Sequence, residues 1–418
     1  MGPSGATEGR RHLSRMDPFD PMSETTASRP WYLPMRARDA DERHRVATPL
    51  ELLFDLCFVV AVAFAAAGLD HSFVENHVLT GVRQYLMVFF AIWWAWMNFT
   101  WFASAYDNDD VPYRVTVLVQ IAGSLVMASG IPRLFADNDT LVIVIGYVVM
   151  RLAMCIQWLR AAAADPPRRR TALRYAVGIG IVQIGWLLTL VVPDGFFIPV
   201  FLLLIVAELA VPVLAERGAM TTFHPHHIAE RYGLFTVIVL GESVTAATLA
   251  FQSALEEAED GGTIIGLAVA GIVTMFCLWW VYFDHEAPPR LNTARASFLW
   301  GYGHYVVFAS AAAVGAGLVV AVAYQRELTH GISYVVSSMA TTVPVAIYLI
   351  AVGALRSGSG RPRIIPWAIG IAAVLVLADS FVPAPLYVTA GVLTALVVVL
   401  TVATRTRAVT DEQPAGSR

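Results

Sequence analysis

The sequence predicts an all-α polytopic membrane protein of about twelve transmembrane helices, arranged as two parallel six-helix pseudo-repeats. Of its 418 residues, 57% are hydrophobic and 14% are charged. Soluble domains average about 45–50% apolar and roughly 25% charged residues. The apolar residues suffice for about twelve helices of 20 residues each. This composition excludes a soluble globular enzyme, a disordered chain and a disulfide-stapled secreted domain.

Twelve apolar runs, numbered here as spans 1 to 12, can be delimited between short polar or turn-forming segments. They lie at about residues 48–69, 82–104, 112–131, 141–160, 172–192, 197–215, 230–251, 263–283, 298–323, 332–355, 364–382 and 385–404. The predicted organisation is a disordered polar cytoplasmic tail, a first repeat, a second repeat and a short cytoplasmic tail, at residues 1–46, 47–216, 217–404 and 405–418.

The distribution of arginine predicts the orientation of these spans. All 28 basic residues are Arg, and 24 of them fall in cytoplasmic segments if the amino terminus is inside. Cytoplasmic loops of membrane proteins carry such an excess of positive charge. Both termini are therefore predicted to be cytoplasmic. The net charge of −4 gives no reason to expect a nucleic-acid partner. The predicted partners are the lipid bilayer and a small solute or ion of undefined identity, and self-association is compatible with the sequence.

Two landmarks predict the internal repeat. The Trp-Trp pairs at 93–94 and 279–280 are 186 residues apart, and Asp55 and Glu242 are 187 residues apart. Nearly equal offsets indicate a unit of six spans repeated once. Because six is even, the two units would have parallel orientation in the membrane.

Carboxylates inside the spans are the main candidate sites for protons, ions or substrate. An ionised group in hydrocarbon costs a few kcal/mol. Such groups are therefore retained where they form an ion pair, face a cavity or have a functional role. Glu51 and Asp55 lie four residues apart, on one face of span 1. Glu242 lies about 11 residues into span 7, roughly 17 Å deep, and is the strongest single candidate. The alternatives are that Glu51 stabilises the start of its helix and that Asp55 and Glu242 form structural ion pairs with arginines.

Arginines within the spans are the candidate counter-charges. Arg151 lies near the middle of span 4, where its depth allows pairing with Glu242, Glu208 or Asp55. Arg114 lies nearer the cytoplasmic face and is expected to pair with Glu51 or Asp55.

Three further residues complete the candidate set. Glu230 and Arg231 lie at the cytoplasmic edge of span 7, where a local ion pair is expected. His304 lies two turns into span 9, as either a proton relay or a hydrogen-bonded structural histidine.

The sequence predicts no metal site, no cofactor and no enzymatic activity. The run His224-Pro-His226-His227 has ligand-type side chains, but it lacks a zinc-protease spacing and no second ligand cluster follows. No nucleotide-binding loop or nucleophile elbow is present.

Three stretches together resemble the bacterial low-temperature-requirement A family. They are Thr48-Pro-Leu-Glu51-Leu-Leu-Phe54-Asp55-Leu, His227-x-x-Glu230-Arg231-x-Gly233-Leu-Phe235 and Leu240-Gly241-Glu242-Ser243. The resemblance extends over about residues 45–404. It implies a polytopic protein of the bacterial inner (plasma) membrane, associated by name with growth in the cold. It implies no substrate and no reaction.

These observations favour a secondary transporter, with proton coupling as one form of it. Asp55 and Glu242 would then be repeat-related proton or cation sites, with arginines as counter-charges. The alternatives are a cation channel and an intramembrane lipid-acting enzyme or sensor of membrane state. In a further alternative, the buried charges only hold the helices together.

Overall fold

The computed structural model describes residues 31–39, 42, 45–257, 261–284, 294–356, 364–383 and 385–411. These residues form twelve α-helices and two single-turn 3₁₀ segments, without strands. The helices are α1 (Pro49–Val74), α2 (Val78–Tyr106), α3 (Val111–Asp137), α4 (Leu141–Ala164), α5 (Arg169–Leu188), α6 (Asp194–Ala215), α7 (Pro225–Glu257), α8 (Gly261–Phe283), α9 (Ala294–Gln325), α10 (Tyr334–Leu355), α11 (Ile364–Asp379) and α12 (Pro385–Asp411).

The predicted polytopic helical fold is confirmed. Among the described residues, eleven helices are long and apolar enough to cross a membrane. The exception is α11, an apolar helix of 16 residues. It is joined to α12 by a tight hairpin in which Asp379 accepts hydrogen bonds from the backbone N–H and the hydroxyl of Thr389, at 3.0 and 2.7 Å.

Several helices begin where the sequence provides a cap. The side chains of Thr48, Asp110 and Ser333 accept hydrogen bonds from backbone N–H groups in the first turns of α1, α3 and α10. Such caps satisfy donors that have no partner within the helix. The caps at Thr48 and Asp110 fix where α1 and α3 begin, at the same end of the bundle. This end is called here the N-terminal face.

The helices pack in the same order in each half of the chain. In the first half, α1 contacts α2 and α3, and α3, α4, α5 and α6 each pack against the next. In the second half, α7 contacts α8 and α9, and α9, α10, α11 and α12 do the same. The halves meet where α1 and α2 contact α7 and α9.

The two Trp pairs used as repeat landmarks lie in different environments. Trp93 and Trp94 are buried in the core, whereas Trp279 and Trp280 are 46% and 44% exposed. The difference arises because α2 lies inside the bundle, while α8 packs mainly against α7 and α12 at the periphery. The twofold repeat stays a prediction from sequence and from the order of helix packing.

Part of the segment predicted as a disordered tail is packed on the N-terminal face. Arg38 donates its backbone N–H to the carbonyl of Ala105, at 2.8 Å, and Leu33 donates to the carboxylate of Asp110, at 2.9 Å. Met35 is fully buried. The prediction failed here because the polar composition of the segment does not reveal the carbonyl and carboxylate acceptors that receive it. Residues 1–30 of the predicted tail lie outside the described part.

The carboxyl-terminal tail also begins later than predicted. Residues 405–411 continue α12, which ends at Asp411. Their polar residues ended the apolar run but do not prevent helix formation, because Arg and Ala are good helix formers. Residues 412–418 lie outside the described part.

Glycines allow the closest helix contacts. A Cβ atom on Gly146 of α4 would lie 2.3 Å from the backbone nitrogen of Met127 in α3. A Cβ atom on Gly317 of α9 would lie 2.3 Å from the carbonyl oxygen of Ala340 in α10. Small residues at such crossings let helix backbones approach closely in membranes.

We expect Gly146→Ala to destabilise the protein by about 1–3 kcal/mol, because the new methyl group forces α3 and α4 apart. Gly180→Ala is the matched control, since a Cβ atom there meets nothing within 4 Å. Thermal unfolding in detergent measures both variants. Equal melting temperatures for the two would contradict the backbone contact.

Candidate functional site

Six ionisable side chains meet at the N-terminal face, where α1 and α7 begin and α2 ends. This charge cluster consists of Arg45, Glu51, Asp55, Asp107, His227 and Arg231. Each of the six residues is less than one-tenth exposed. The cluster joins α1 and α2, from the first half of the chain, to α7, from the second half.

The first turn of α1 positions the two carboxylates. Thr48 caps the helix and Pro49 opens it, and the carboxylate of Glu51 accepts the backbone N–H of Thr48 at 2.7 Å. This reciprocal capping box holds Glu51 at the helix start. Asp55 follows one turn later on the same face, so both carboxylates point at α7. The interpretation that Glu51 stabilises the start of its helix therefore applies, and the same carboxylate also lies beside Arg45 and Arg231.

Arg231 of α7 bridges the two carboxylates. Its Nε and Nη2 atoms lie 2.9 and 2.5 Å from the two carboxylate oxygens of Asp55, as a bidentate pair. Its Nη1 atom lies 3.1 Å from Oε1 of Glu51. The indole N–H of Trp96 also donates to Asp55, at 2.6 Å. Asp55 is thus held from α7 and α2 at once.

The outer part of the cluster contains more carboxylate than guanidinium. Arg45 Nη2 lies 3.4 Å from both Glu51 Oε1 and Asp107 Oδ2. His227 Nε2 lies 3.2 Å from Glu51 Oε1, and its buried Nδ1 atom has no hydrogen-bond partner among the described residues. In the cluster as a whole, the carboxylates of Glu51, Asp55 and Asp107 outnumber the two arginines by one. A proton on His227 or on one of the carboxylates is therefore needed to make the cluster neutral.

Asp107 lies in the loop after α2, outside the spanning helices. Burial raises its pKa to about 6, with a further contribution from the charge of Glu51, while Arg45 opposes the shift. Asp107 therefore changes its protonation state at a pH not far below neutral.

A second buried ion pair lies within the first half. Glu208 of α6 accepts hydrogen bonds from Arg151 Nη2 and from the hydroxyl of Tyr147, both at 2.8 Å. The indole N–H groups of Trp94 and Trp186 donate to it at 2.8 and 3.1 Å. Of the partners that depth allowed for Arg151, the structure selects Glu208. Donors from three helices converge on this carboxylate, which is typical of a structural tie.

Two predicted ion pairs are wrong. Arg114 contacts Asp109 at 2.7 Å on the protein surface, because it lies in the first turn of α3 and points away from α1. Glu230 does not pair with Arg231, because adjacent helix residues point about 100° apart. The Glu230 carboxylate instead accepts the backbone N–H of Ala47, at 3.4 Å.

Glu242 lies apart from the charge cluster. It is half-buried on α7 and has no hydrogen-bond or ion-pair partner among the described residues. It follows Arg231 by 11 residues, or about 17 Å along the helix. Asp55 lies in the second turn of its helix and Glu242 in the fifth, so these two carboxylates do not occupy equivalent depths. Their nearly equal spacing to the Trp pairs, 38 and 37 residues, therefore does not reflect equivalent positions in the two halves.

His304 has the geometry of a hydrogen-bonded structural histidine. Its Nδ1 atom lies 2.8 Å from the carbonyl oxygen of Trp300, and its Nε2 atom lies 3.1 Å from the hydroxyl of Tyr282. The carbonyl requires an N–H at Nδ1, so Nε2 accepts from the tyrosine. The ring is 2% exposed and packs against Tyr232 and Phe308.

Sequence reasoning missed Arg45, Asp107 and Trp96 as parts of the site, and it considered His227 only as a metal ligand. Arg45 lies in the segment predicted as a tail, and Asp107 lies in a loop whose acidic residues look solvated. The available signal was local: Arg45 precedes the capping motif at Thr48 by three residues. No spacing in the sequence indicates that the end of α2 lies beside the start of α1.

We expect Glu208→Gln to destabilise the protein by about 3–5 kcal/mol, because it leaves the Arg151 guanidinium buried without a charge partner. The double variant Glu208→Gln with Arg151→Met should recover most of that loss. Melting temperatures in detergent test the cycle, and additive losses in the double variant would contradict the structural tie.

We expect Asp107→Asn to become more stable relative to the unmodified protein as the pH rises from 4 to 7. The folded protein holds a proton on Asp107 up to about pH 6, whereas the unfolded chain loses it near 3.8. Stability therefore falls as pH rises through this window, and asparagine, which stays neutral, avoids the loss. Melting temperatures at stepped pH measure it. Asp109→Asn, a more exposed carboxylate of the same loop, is the control, and a pH-independent difference would refute the prediction.

Comparison with known proteins identifies the family. The family model of the bacterial low temperature requirement A protein (LtrA) matches residues 46–403. An uncharacterised protein of Rhizobium meliloti (strain 1021) is 25% identical over 298 residues, which are 67% of this chain and 69% of the relative. The family match includes most of the charge cluster and all twelve helices almost to their ends. The chain therefore belongs to the bacterial LtrA family of multi-span helical membrane proteins.

Proposed function

We propose that the protein is a proton-coupled secondary transporter of the inner membrane, with the charge cluster as its coupling site. One observation carries the proposal: the buried Asp55–Arg231 pair joins α1 to α7, across the junction of the two halves of the chain. In transporters with parallel repeats, alternating access moves one half against the other about such a junction.

Charge balance links the movement of these helices to the binding of a proton. Any movement that separates α1 from α7 pulls Arg231 away from Asp55 and Glu51. An unpaired carboxylate is costly in a dehydrated site, so it must take up a proton or a cation when the arginine leaves. Helix separation and proton binding are then the same event, which is the requirement for coupling.

The surplus acidic group supports this proposal. A purely structural network is most stable when its charges cancel. Here the neutral state of the cluster depends on one proton that can reside on His227, Asp107 or another carboxylate. In the Arg151–Glu208 pair, by contrast, one positive charge cancels one negative charge, so no additional proton is needed for neutrality.

We expect Asp55→Asn to reduce proton flux at least tenfold in proteoliposomes that enclose a pH-sensitive dye, because asparagine cannot exchange a proton. Proton, Na⁺ and K⁺ gradients are imposed in turn on purified protein. Asp70→Asn, the same substitution about four turns further along α1, is the matched control and should retain flux.

Two further variants separate the alternatives. If the charges only hold helices together, the neutral pair Asp55→Asn with Arg231→Met should regain flux, whereas the proposal requires it to stay inactive while folded. If Glu242→Gln abolishes flux and Asp55→Asn does not, the coupling site is at Glu242 and not at the charge cluster. Flux that does not saturate with ion concentration would favour the cation channel, and no flux under any gradient would overturn transport of these ions.

A further inference from the structure

A cleft lined by aromatic side chains opens at the N-terminal face, beside the linker between α6 and α7. It is narrow, with an accessible volume of about 50 Å³. Its walls come from α2, α4, α5, α6, α9 and the linker. The aromatic side chains that line it are Trp101, Phe102, Trp158, Tyr175, Phe223, Phe298 and Tyr302.

One charged side chain lines this cleft among the described residues, and it is acidic. Glu216 follows the last residue of α6 and is half-buried. Its carboxylate accepts hydrogen bonds from the hydroxyl of Tyr175 and from the backbone N–H and hydroxyl of Thr221, each at 2.9 Å. These donors fix the position of the carboxylate without neutralising its charge.

The nearby arginines do not occupy the cleft. Arg168 donates to the carbonyl of Met220, at 3.1 Å, and lies 3.5 Å from Asp165. Arg174 lies beside Gly218, on the linker. Neither lines the cleft, so both affect Glu216 only at longer range. Burial raises the pKa of Glu216 above its ordinary range, and a cation bound beside the carboxylate would relieve that penalty.

We propose that this cleft binds an organic cation, an amine or quaternary ammonium group carried on an apolar body. Aromatic faces attract cations through their quadrupoles, most strongly where water is excluded. A carboxylate among them adds direct charge complementarity. An anionic ligand would be repelled by Glu216, and a fully hydrated metal ion would gain little from the apolar walls.

The position of the cleft connects it to the charge cluster. Phe223 of the linker packs edge-on against Trp101, with ring centroids 4.6 Å apart. The next residue, His224, is buried and its backbone N–H donates to Ser104 at 2.9 Å. The linker then enters α7, which carries His227 and Arg231. A ligand that displaces the linker would therefore act on α7, whose Arg231 pairs with Asp55 of α1. The assignment of this cation as the transported solute rests on the proposed function. The existence of the cation-binding site does not depend on it.

The test is binding of two water-soluble ligands of similar shape and opposite charge, measured by calorimetry on the full chain in lipid nanodiscs. Benzyltrimethylammonium should bind saturably, and phenylmethanesulfonate should not. Glu216→Gln keeps an acceptor for Tyr175 and should weaken cation binding about tenfold, equivalent to roughly 1.4 kcal/mol. Phe298→Leu should weaken it about threefold. Glu75→Gln, at the exposed end of α1, should leave it unchanged.

Equal binding of both ligands, or of neither, would overturn the proposed cation site. Unchanged affinity in both Glu216→Gln and Phe298→Leu would place the bound cation elsewhere and overturn it as well. A separate arm applies a benzyltrimethylammonium gradient to proteoliposomes. Cation binding without cation-driven proton flux would refute the substrate assignment and leave the site, whereas proton flux without cation binding would refute the site and leave the transporter.

Discussion

Arg231 reaches from one half of the protein into the other, and the arrangement of the N-terminal face depends on this contact. A guanidinium within the first turns of a membrane helix cannot remain without acceptors, and Asp55 and Glu51 provide them at 2.5–3.1 Å. The carboxylates depend equally on the arginine. This mutual requirement fixes α1 against α7, and the indole of Trp96 adds α2 to the same contact. Because either partner would be costly to bury without the other, this contact strongly specifies how α1 and α7 pack.

The two buried ion pairs illustrate two uses of the same chemistry. Arg151 and Glu208 lie among donors from helices of a single half, and their charges cancel. That contact would not need to break in the movement that the proposed function requires. Asp55 and Arg231 lie at the junction of the halves and share it with an excess acidic group. The depth of a charge in the membrane is therefore a weaker guide to function than the identity of the elements that it joins.

Sequence alone predicted the class of fold well, because hydrophobic run length responds to the membrane rather than to tertiary contacts. It also identified Glu51, Asp55, Arg151, Glu208 and Arg231, the paired residues inside the helices, since each such group is conspicuous in an apolar run. It failed on partners: Arg114 turns to Asp109, and Glu242 lies apart from the charge cluster. Helix spacing fixes which residues share a face, but it contains no information about which face of a distant helix is opposite.

The packed segment before α1 connects these observations. Arg45 and the carbonyl groups of residues 38 and 42 hold this segment against α2, Thr222 and His224, so the charge cluster lies beneath it rather than open to water. The same segment contacts both the end of α2 and the linker that precedes α7. If α7 moves relative to α1, the segment must move or release one of its two contacts. A polar stretch that composition assigns to a tail thus lies over the charge cluster and, on the proposed function, limits the access of water to it.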